Sequence, residues 1–180
     1  MKKYFKHLRG FTLIELLIVI GILGVLAAAI VATLDPFEQI RKSKDSALKD
    51  TANEFLNASV RYYVANDVFP WGSASAPNNC IAGNQAPAGL ALSTLNTCIT
   101  TLINGSELKQ GFSTSSSLPF VFISSDTVTS PSDLKVCFKP ASKNQQADVQ
   151  TKYTQAGVVQ VAGTCKSQGG NNSQCFWCTQ

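Results

Sequence analysis

Histidine is nearly absent from this sequence of 180 residues, in which His7 is the only one. The chain beyond the N-terminal segment therefore has no imidazole for a Ser-His or Cys-His catalytic pair, or for a histidine-ligated metal. Most common hydrolase mechanisms are disfavoured on this ground. The sequence predicts no catalytic residue, no metal and no cofactor, and we expect the protein not to be an enzyme.

An excess of positive charge is also missing once the first ten residues are set aside. Lys2, Lys3, Lys6 and Arg9 are 4 of the 15 basic residues, which leaves 15 − 4 = 11 bases against 11 acids in residues 11–180. A domain that grips a phosphate backbone usually carries a basic excess. Nucleic-acid binding is therefore not indicated, and the net charge of +4 belongs to the N-terminus.

A long apolar run follows the basic segment. Residues 16–34 are 19 consecutive residues without a charge. In a helix they span about 28 Å, the thickness of a bilayer hydrocarbon core. A secretory signal has a shorter apolar core, so we predict a single transmembrane helix with its N-terminus in the cytoplasm, on the side of the basic residues. Glu15 lies at the edge of this run, where a carboxylate costs about 2–3 kcal/mol and is expected to have a partner.

The residues around Glu15 resemble a known signal. Residues 6–15, Lys-His-Leu-Arg-Gly-Phe-Thr-Leu-Ile-Glu, followed by an apolar helix, resemble the type III signal of type IV pilins and type II secretion pseudopilins. The resemblance implies that a prepilin peptidase cuts after Gly10 and methylates the new N-terminal residue, Phe11. It makes Glu15 the assembly charge, which pairs with the Phe11 ammonium of a neighbouring subunit. A contact within one chain is the alternative, because positions 11 and 15 share a helix face.

The predicted fold is α+β and pilin-like, with one long N-terminal α-helix packed on the small antiparallel β-sheet of a head. Its parts are a removed leader at 1–10, a transmembrane and assembly helix at 11–35, an amphipathic helix at 36–66, and a disulfide-stapled head at 67–180. Pro36 is predicted to break or bend the helix, because proline lacks a donor and disfavours helical geometry at the preceding residue.

Apolar residues at three-, four- and seven-residue intervals predict that residues 37–66 lay one helix face on the sheet. This stripe comprises Phe37, Ile40, Ala47, Leu48, Phe55, Leu56, Tyr62 and Tyr63. The opposite face carries i,i+4 pairs of opposite charge, which are typical of a solvated surface. They are Glu38–Lys42, Arg41–Asp45 and Asp45–Lys49.

The rest of the chain reads as short elements joined by turns. Residues 71–89 are rich in Gly, Ser, Asn, Pro and Ala and are predicted to form a surface loop. Residues 91–103 are predicted to hold a short helix. Runs of β-branched and aromatic residues predict strands at 118–123, 134–138 and 157–161.

All six cysteines fall in the region predicted to be exported, where an even number favours disulfides. They are Cys80, Cys98, Cys137, Cys165, Cys175 and Cys178. Proximity in sequence favours Cys80–Cys98, and Cys137–Cys165 with Cys175–Cys178 is one option for the rest. The pilin resemblance implies that such a bond staples a C-terminal loop of the head.

Two other chemistries are weaker. The Cys175-Phe-Trp-Cys178 spacing occurs in redox proteins, but the βαβ context is missing, and zinc binding by thiolates disagrees with an oxidising exterior. Asp126 and Asp133 flank a turn-rich segment that suits a divalent-ion loop, although an ordinary capped turn is favoured.

The resemblance implies a structural subunit of a type IV pilus-like surface filament, a helical homo-oligomer. Its partners are the prepilin peptidase and the pilus assembly platform with its ATPase. Before assembly it lies in the cytoplasmic membrane, and afterwards at the cell surface. One alternative is a pseudopilin of a type II secretion or DNA-uptake system; another is a membrane-tethered redox or metal-binding protein.

Overall fold

The computed structural model describes residues 10–33, 35–72, 80–81, 87–125 and 133–179. These residues belong to two compact units, one ending at Phe37 and the other beginning at Glu38. The predictions for the basic leader residues up to position 9 and for Asp126 lie outside the described residues. The layout is the predicted α+β one: an apolar helix, then an amphipathic helix and a small antiparallel sheet.

The first unit is the apolar helix α1 (Leu13–Thr33) with the residues on either side of it. A second helix, α2 (Pro36–Asn66), follows. Asp35 between them is not helical. The long helix is therefore interrupted just before Pro36, which is the first residue of the second helix, a position where its missing N–H leaves no hydrogen bond unmade.

The second unit, from Glu38 onward and called the head here, has one main core to which α2 contributes Ala52, Phe55 and Ala58. Leu48, Leu56, Tyr62 and Tyr63 pack against this core, as the stripe predicted. The start of the stripe is wrong, because Phe37 and Ile40 are 71% and 54% exposed. Ala47 is exposed as well.

The strands described form one antiparallel sheet with the order β1-β2-β3-β5-β4. They are β1 (Ala88–Ala91), β2 (Val121–Ser124), β3 (Lys135–Phe138), β4 (Thr151–Tyr153) and β5 (Phe176–Thr179). Side chains of alternating residues point to opposite faces. One face joins the α2 core through Val136, Phe138 and Trp177, and the other carries a small cluster with Cys137, Tyr153 and Cys178.

The strand predictions are right for two segments and wrong for one. Residues 121–124 and 135–138 form β2 and β3, although Leu118–Phe120 is a turn of 3-10 helix. Residues 157–161 are not a strand. Gly157 has a φ of +72°, a conformation that turns the chain, and it lies close to the side chain of Ser124. Val158, Val159 and Val161 are exposed.

The remaining elements of the head are two short helices and a buried aromatic pair. The predicted helix at 91–103 is α3 (Asn96–Asn104), preceded by a 3-10 turn at Leu92–Thr94. A four-residue helix, α4 (Lys143–Gln146), follows β3. The predicted loop at 71–89 is wrong at both ends: Ala88 begins β1, and Trp71 is buried with its ring stacked on Phe69 at 4.8 Å between centroids. Residues 73–79 and 82–86 of that loop lie outside the described residues.

Candidate functional site

The predicted processing junction lies in open chain just before α1. Gly10 and Phe11 are not helical, and both are exposed. A Cβ added to Gly10 would meet no atom within 4 Å. None of the described residues therefore covers the Gly10–Phe11 peptide bond, and it is accessible, as a bond that a protease cuts must be.

Glu15 is held by the first turn of its own helix. The backbone N–H and the hydroxyl of Thr12 both donate to Glu15 Oε2 at 2.9 Å. In return, Glu15 N–H donates to Thr12 Oγ1 at 3.3 Å. This reciprocal arrangement is a capping box, which satisfies donors that a helix start otherwise leaves unpaired.

Thr12 is the residue of this site that sequence reasoning missed. The pattern Thr-x-x-Glu ahead of an apolar run is a known signature of a helix start, and the partner of Glu15 was readable from it. The structure places this carboxylate against Thr12 within one chain. Its predicted pairing with the Phe11 ammonium of a neighbouring subunit concerns an assembled state and stays a prediction.

The surface of α1 is apolar and uncovered. Residues Leu13–Val31 are long and apolar enough to cross a membrane, and none of that stretch is buried within the chain. Val19, the least exposed of its recorded bulky aliphatic side chains, is 46% exposed. Burying about a dozen such side chains is worth on the order of 20 kcal/mol, so this helix requires lipid or other apolar helices around it.

Two carboxylates of α2 hold a distant loop of the head. Asp45, which is 3% exposed, accepts hydrogen bonds from the backbone N–H groups of Ala141 at 2.9 Å and Ser142 at 2.8 Å. Glu38 accepts from the N–H of Lys143 at 2.7 Å. The carboxylates thus bind the amides at the start of α4, where charge-assisted hydrogen bonds are strong.

This contact corrects the predicted solvated face of α2. Within the described residues, Glu38 has its ion pair with Arg41, three residues on, at 3.8 Å, and Asp45 bonds amides rather than Arg41 or Lys49. Lys49 lies over the Trp177 ring, 4.7 Å from its centroid. This face of α2 is buried because it binds backbone amides some 96 positions away. The local spacing of charged residues does not indicate those amides.

The six cysteines form three disulfides, and the first joins Cys80 to Cys98, the pair that proximity favoured. The others are Cys137–Cys178 and Cys165–Cys175, so the option of Cys137–Cys165 with Cys175–Cys178 is wrong. Strand β5 supplies the reason. Its Cys178 lies directly opposite Cys137 of the neighbouring strand β3, so these two cysteines are within the reach of a disulfide.

The redox and metal-binding interpretations require free thiols, and the cysteines do not provide them. No cysteine is free, and Cys175 and Cys178 belong to different disulfides. Within the described residues, no three His, Cys, Asp or Glu side chains converge as a metal site would require. The suggested ion loop includes Asp126, which lies outside the described residues.

Comparison with known proteins concerns the N-terminus. Residues 6–31 match the family described as "Prokaryotic N-terminal methylation motif". Searches of curated proteins and of solved structures found no match to this chain. This motif is the prepilin signal of type IV pilins and pseudopilins, and it lies at the start of the apolar helix in a pilin-like α+β layout that suggests a membrane-anchored protein. The motif supports a precursor of the type IV pilin-like or pseudopilin kind.

Proposed function

We propose that this protein is the structural subunit of a type IV pilus-like surface filament, with no catalytic role of its own. The observation that carries the proposal is the continuous exposed apolar surface of α1 directly behind a methylation signal. Such a surface is stabilised when the hydrocarbon of a bilayer or other apolar helices cover it. A subunit that moves from one to the other needs no further apolar contact.

Processing prepares the helix for this transfer. Cleavage after Gly10 removes the excess basic residues of the leader and creates an ammonium on Phe11. Glu15 then supplies one opposite charge close by. In a bundle of helices, the carboxylate of an incoming subunit and the Phe11 ammonium of its neighbour offset the burial cost that either charge would carry alone.

The partners follow from this route. The prepilin peptidase cuts and methylates the chain in the cytoplasmic membrane, where the apolar helix holds it with its N-terminus inside. An assembly platform driven by an ATPase lifts the subunit out of the bilayer, and copies of the same chain receive it. The assembled filament lies outside the cell.

The disulfides support a head that is exported to the oxidising side of the membrane. Three disulfides in one small head suit prolonged exposure to an oxidising exterior. A pseudopilin of a type II secretion or DNA-uptake system shares the N-terminal features and is the second candidate. A membrane-tethered redox or metal-binding protein is not supported, because every cysteine is in a disulfide.

Filaments sheared from cells test the proposal. We expect electron microscopy to show filaments in which this chain is the main protein. When the prepilin peptidase is removed, we expect the filaments to disappear, and the chain to disappear from the sheared material. A chain that is processed normally but never recovered outside the envelope would contradict a surface filament and favour the pseudopilin.

A further inference from the structure

An aromatic groove lies in the head between α2 and the end of the sheet. Its volume is about 580 Å³. The walls include Ala47 and Leu48 of α2 and three phenylalanines, Phe120, Phe122 and Phe176. Phe120 is 61% exposed, and Phe122 and Phe176 meet edge to face at 5.6 Å. An exposed aromatic surface of this kind marks a binding site more often than bare surface.

Two lysines make the groove electropositive. Lys44 of α2 and Lys139, just after β3, are among its lining residues. Asp45 also lines it, but this carboxylate is buried and occupied by the amides of Ala141 and Ser142. Lys139 donates one hydrogen bond to the neutral side chain of Gln174. An apolar group with an acid beside it would complement this groove.

The other end of α2 presents such a group. Val64 is 75% exposed, and Asp67, directly after the helix, is exposed as well. The nearest base along the chain, Arg61, is bound to Glu107 at 2.7 Å. Among the described residues, no cation lies within ion-pair distance of the Asp67 carboxylate. The segment formed by Val64 and Asp67, called the α2 tip here, is therefore apolar and negatively charged.

The groove and the α2 tip are displaced along one helix. From Lys44 to Val64 the chain advances 20 residues within α2, which is about 30 Å along the axis. A helical filament requires contacts between two different patches, since a patch that binds its own copy closes a dimer instead. We propose that the groove of one subunit binds the α2 tip of a second copy, with Val64 against the phenylalanines and Asp67 beside Lys44 and Lys139.

Two other exposed apolar segments of the head fit the groove less well. Val158, Val159 and Val161 are exposed, but no acid lies between them or next to them in the chain. Val149 does follow an acid, Asp148. That segment comes directly after α4, which Glu38 and Asp45 tie to the groove side of α2. Val149 therefore lies close along the chain to Ala141 of the groove itself rather than at the far end of α2.

Photo-crosslinking in intact filaments tests this contact, which rests on the proposed function. Phe120→p-benzoylphenylalanine places a photoreactive ring in the groove, and Val161→p-benzoylphenylalanine is the matched exposed control. After irradiation of sheared filaments, we expect dimers from the first variant, with mass spectrometry locating the bond at residues 62–67. The control should give no bond to that segment.

The outcomes separate the two proposals. If the unmodified chain forms no filaments, the proposed function fails and this contact fails with it. If filaments form but the Phe120 variant crosslinks to another segment, to a different protein, or not at all, only the contact is overturned.

Charge reversal gives a second readout. Asp67→Lys and Lys44→Glu should each lower filament yield about fivefold, the value expected for a lost rim ion pair near 1 kcal/mol. The combined variant should recover most of that loss, although Asp67 has a φ of +57° that lysine adopts with strain. Combining Lys44→Glu with Asp50→Lys, at an exposed acid elsewhere on α2, should recover nothing. Equal yields from the two combinations would contradict the contact.

Discussion

The two units of this protein are stabilised in opposite ways. The head closes a core around Phe55, Phe69 and Trp71, and disulfides cross-link its loops and strands. The apolar helix α1 buries none of its membrane-length stretch. The head therefore carries its own stability, whereas α1 takes its stability from whatever surrounds it. The helix α1 can therefore exchange lipid for other apolar helices without unfolding the head.

Blocking the processing junction should have the largest effect on the N-terminal unit while the head stays folded. Gly10→Glu replaces the residue on the peptidase side of the junction, so we expect the chain to retain its basic leader and to form no filaments. An immunoblot measures chain length and so reports on the N-terminal unit. The intact mass without reduction reports on the disulfides of the head. The head should still contain three disulfides, and a mature-length product would show that the junction lies elsewhere.

Removing the assembly charge should separate processing from assembly. Glu15→Ala keeps a good helix former but deletes the carboxylate, so we expect normal cleavage and at least a tenfold loss of filaments, equivalent to about 1.4 kcal/mol or more per added subunit. Filament mass per processed subunit is the quantity to measure. Glu54→Ala, at an exposed acid of α2, is the control. Normal yield from Glu15→Ala would remove charge pairing from the mechanism.

A large cavity in the head should leave the N-terminal unit untouched. Phe55→Ala deletes a fully buried ring and should lower the free energy of unfolding of the head by about 3–5 kcal/mol. Thermal unfolding of the purified chain measures this, with the exposed Val64→Ala expected to change it little. Membrane insertion and cleavage should be normal. Loss of cleavage in Phe55→Ala would show that the two units depend on each other.

The contact between α2 and α4 should matter less than the core. Asp45→Asn keeps the shape but removes the charge that Ala141 and Ser142 donate to, so we expect about 1.5–3 kcal/mol of lost stability. Asp50→Asn, at an exposed site on the same helix, should change the midpoint of unfolding little. If the two variants unfold alike, the hydrogen bonds to the start of α4 contribute nothing.

The capping box of α1 should have the smallest effect. Thr12→Ala removes the hydroxyl that bonds Glu15 and should cost about 1 kcal/mol of helix stability, while Thr12→Ser should cost little. Amide hydrogen exchange at the start of α1, measured in lipid, reports on this difference. Equal exchange in Ala and Ser variants would contradict a role for the hydroxyl.

The features that could be predicted from the sequence are local ones. The signal at residues 6–15, the apolar run and the core half of α2 are patterns within a few turns of chain, and each lies where the pattern placed it. Strands β2 and β3 are runs of β-branched and aromatic residues and were readable too. Such signals need no knowledge of distant residues.

The features that were missed depend on contacts distant in sequence. Asp45 is buried because amides from another part of the chain approach it. Residues 157–161 have strand composition, but Gly157 turns the chain and leaves the valines in solvent. Strand β1, Ala-Gly-Leu-Ala, contains residues of low strand propensity and gains its structure from its pairing with β2.

The most direct test of the account is the intact, unreduced mass of this protein in material sheared from the cell surface. The account predicts residues 11–180 with one added methyl group and with two hydrogens lost for each of the three disulfides. That single value reports cleavage after Gly10, methylation of Phe11, oxidation of the head and export. A full-length, fully reduced chain found only in membranes would contradict the account. It would show an ordinary membrane-anchored protein instead of a filament subunit.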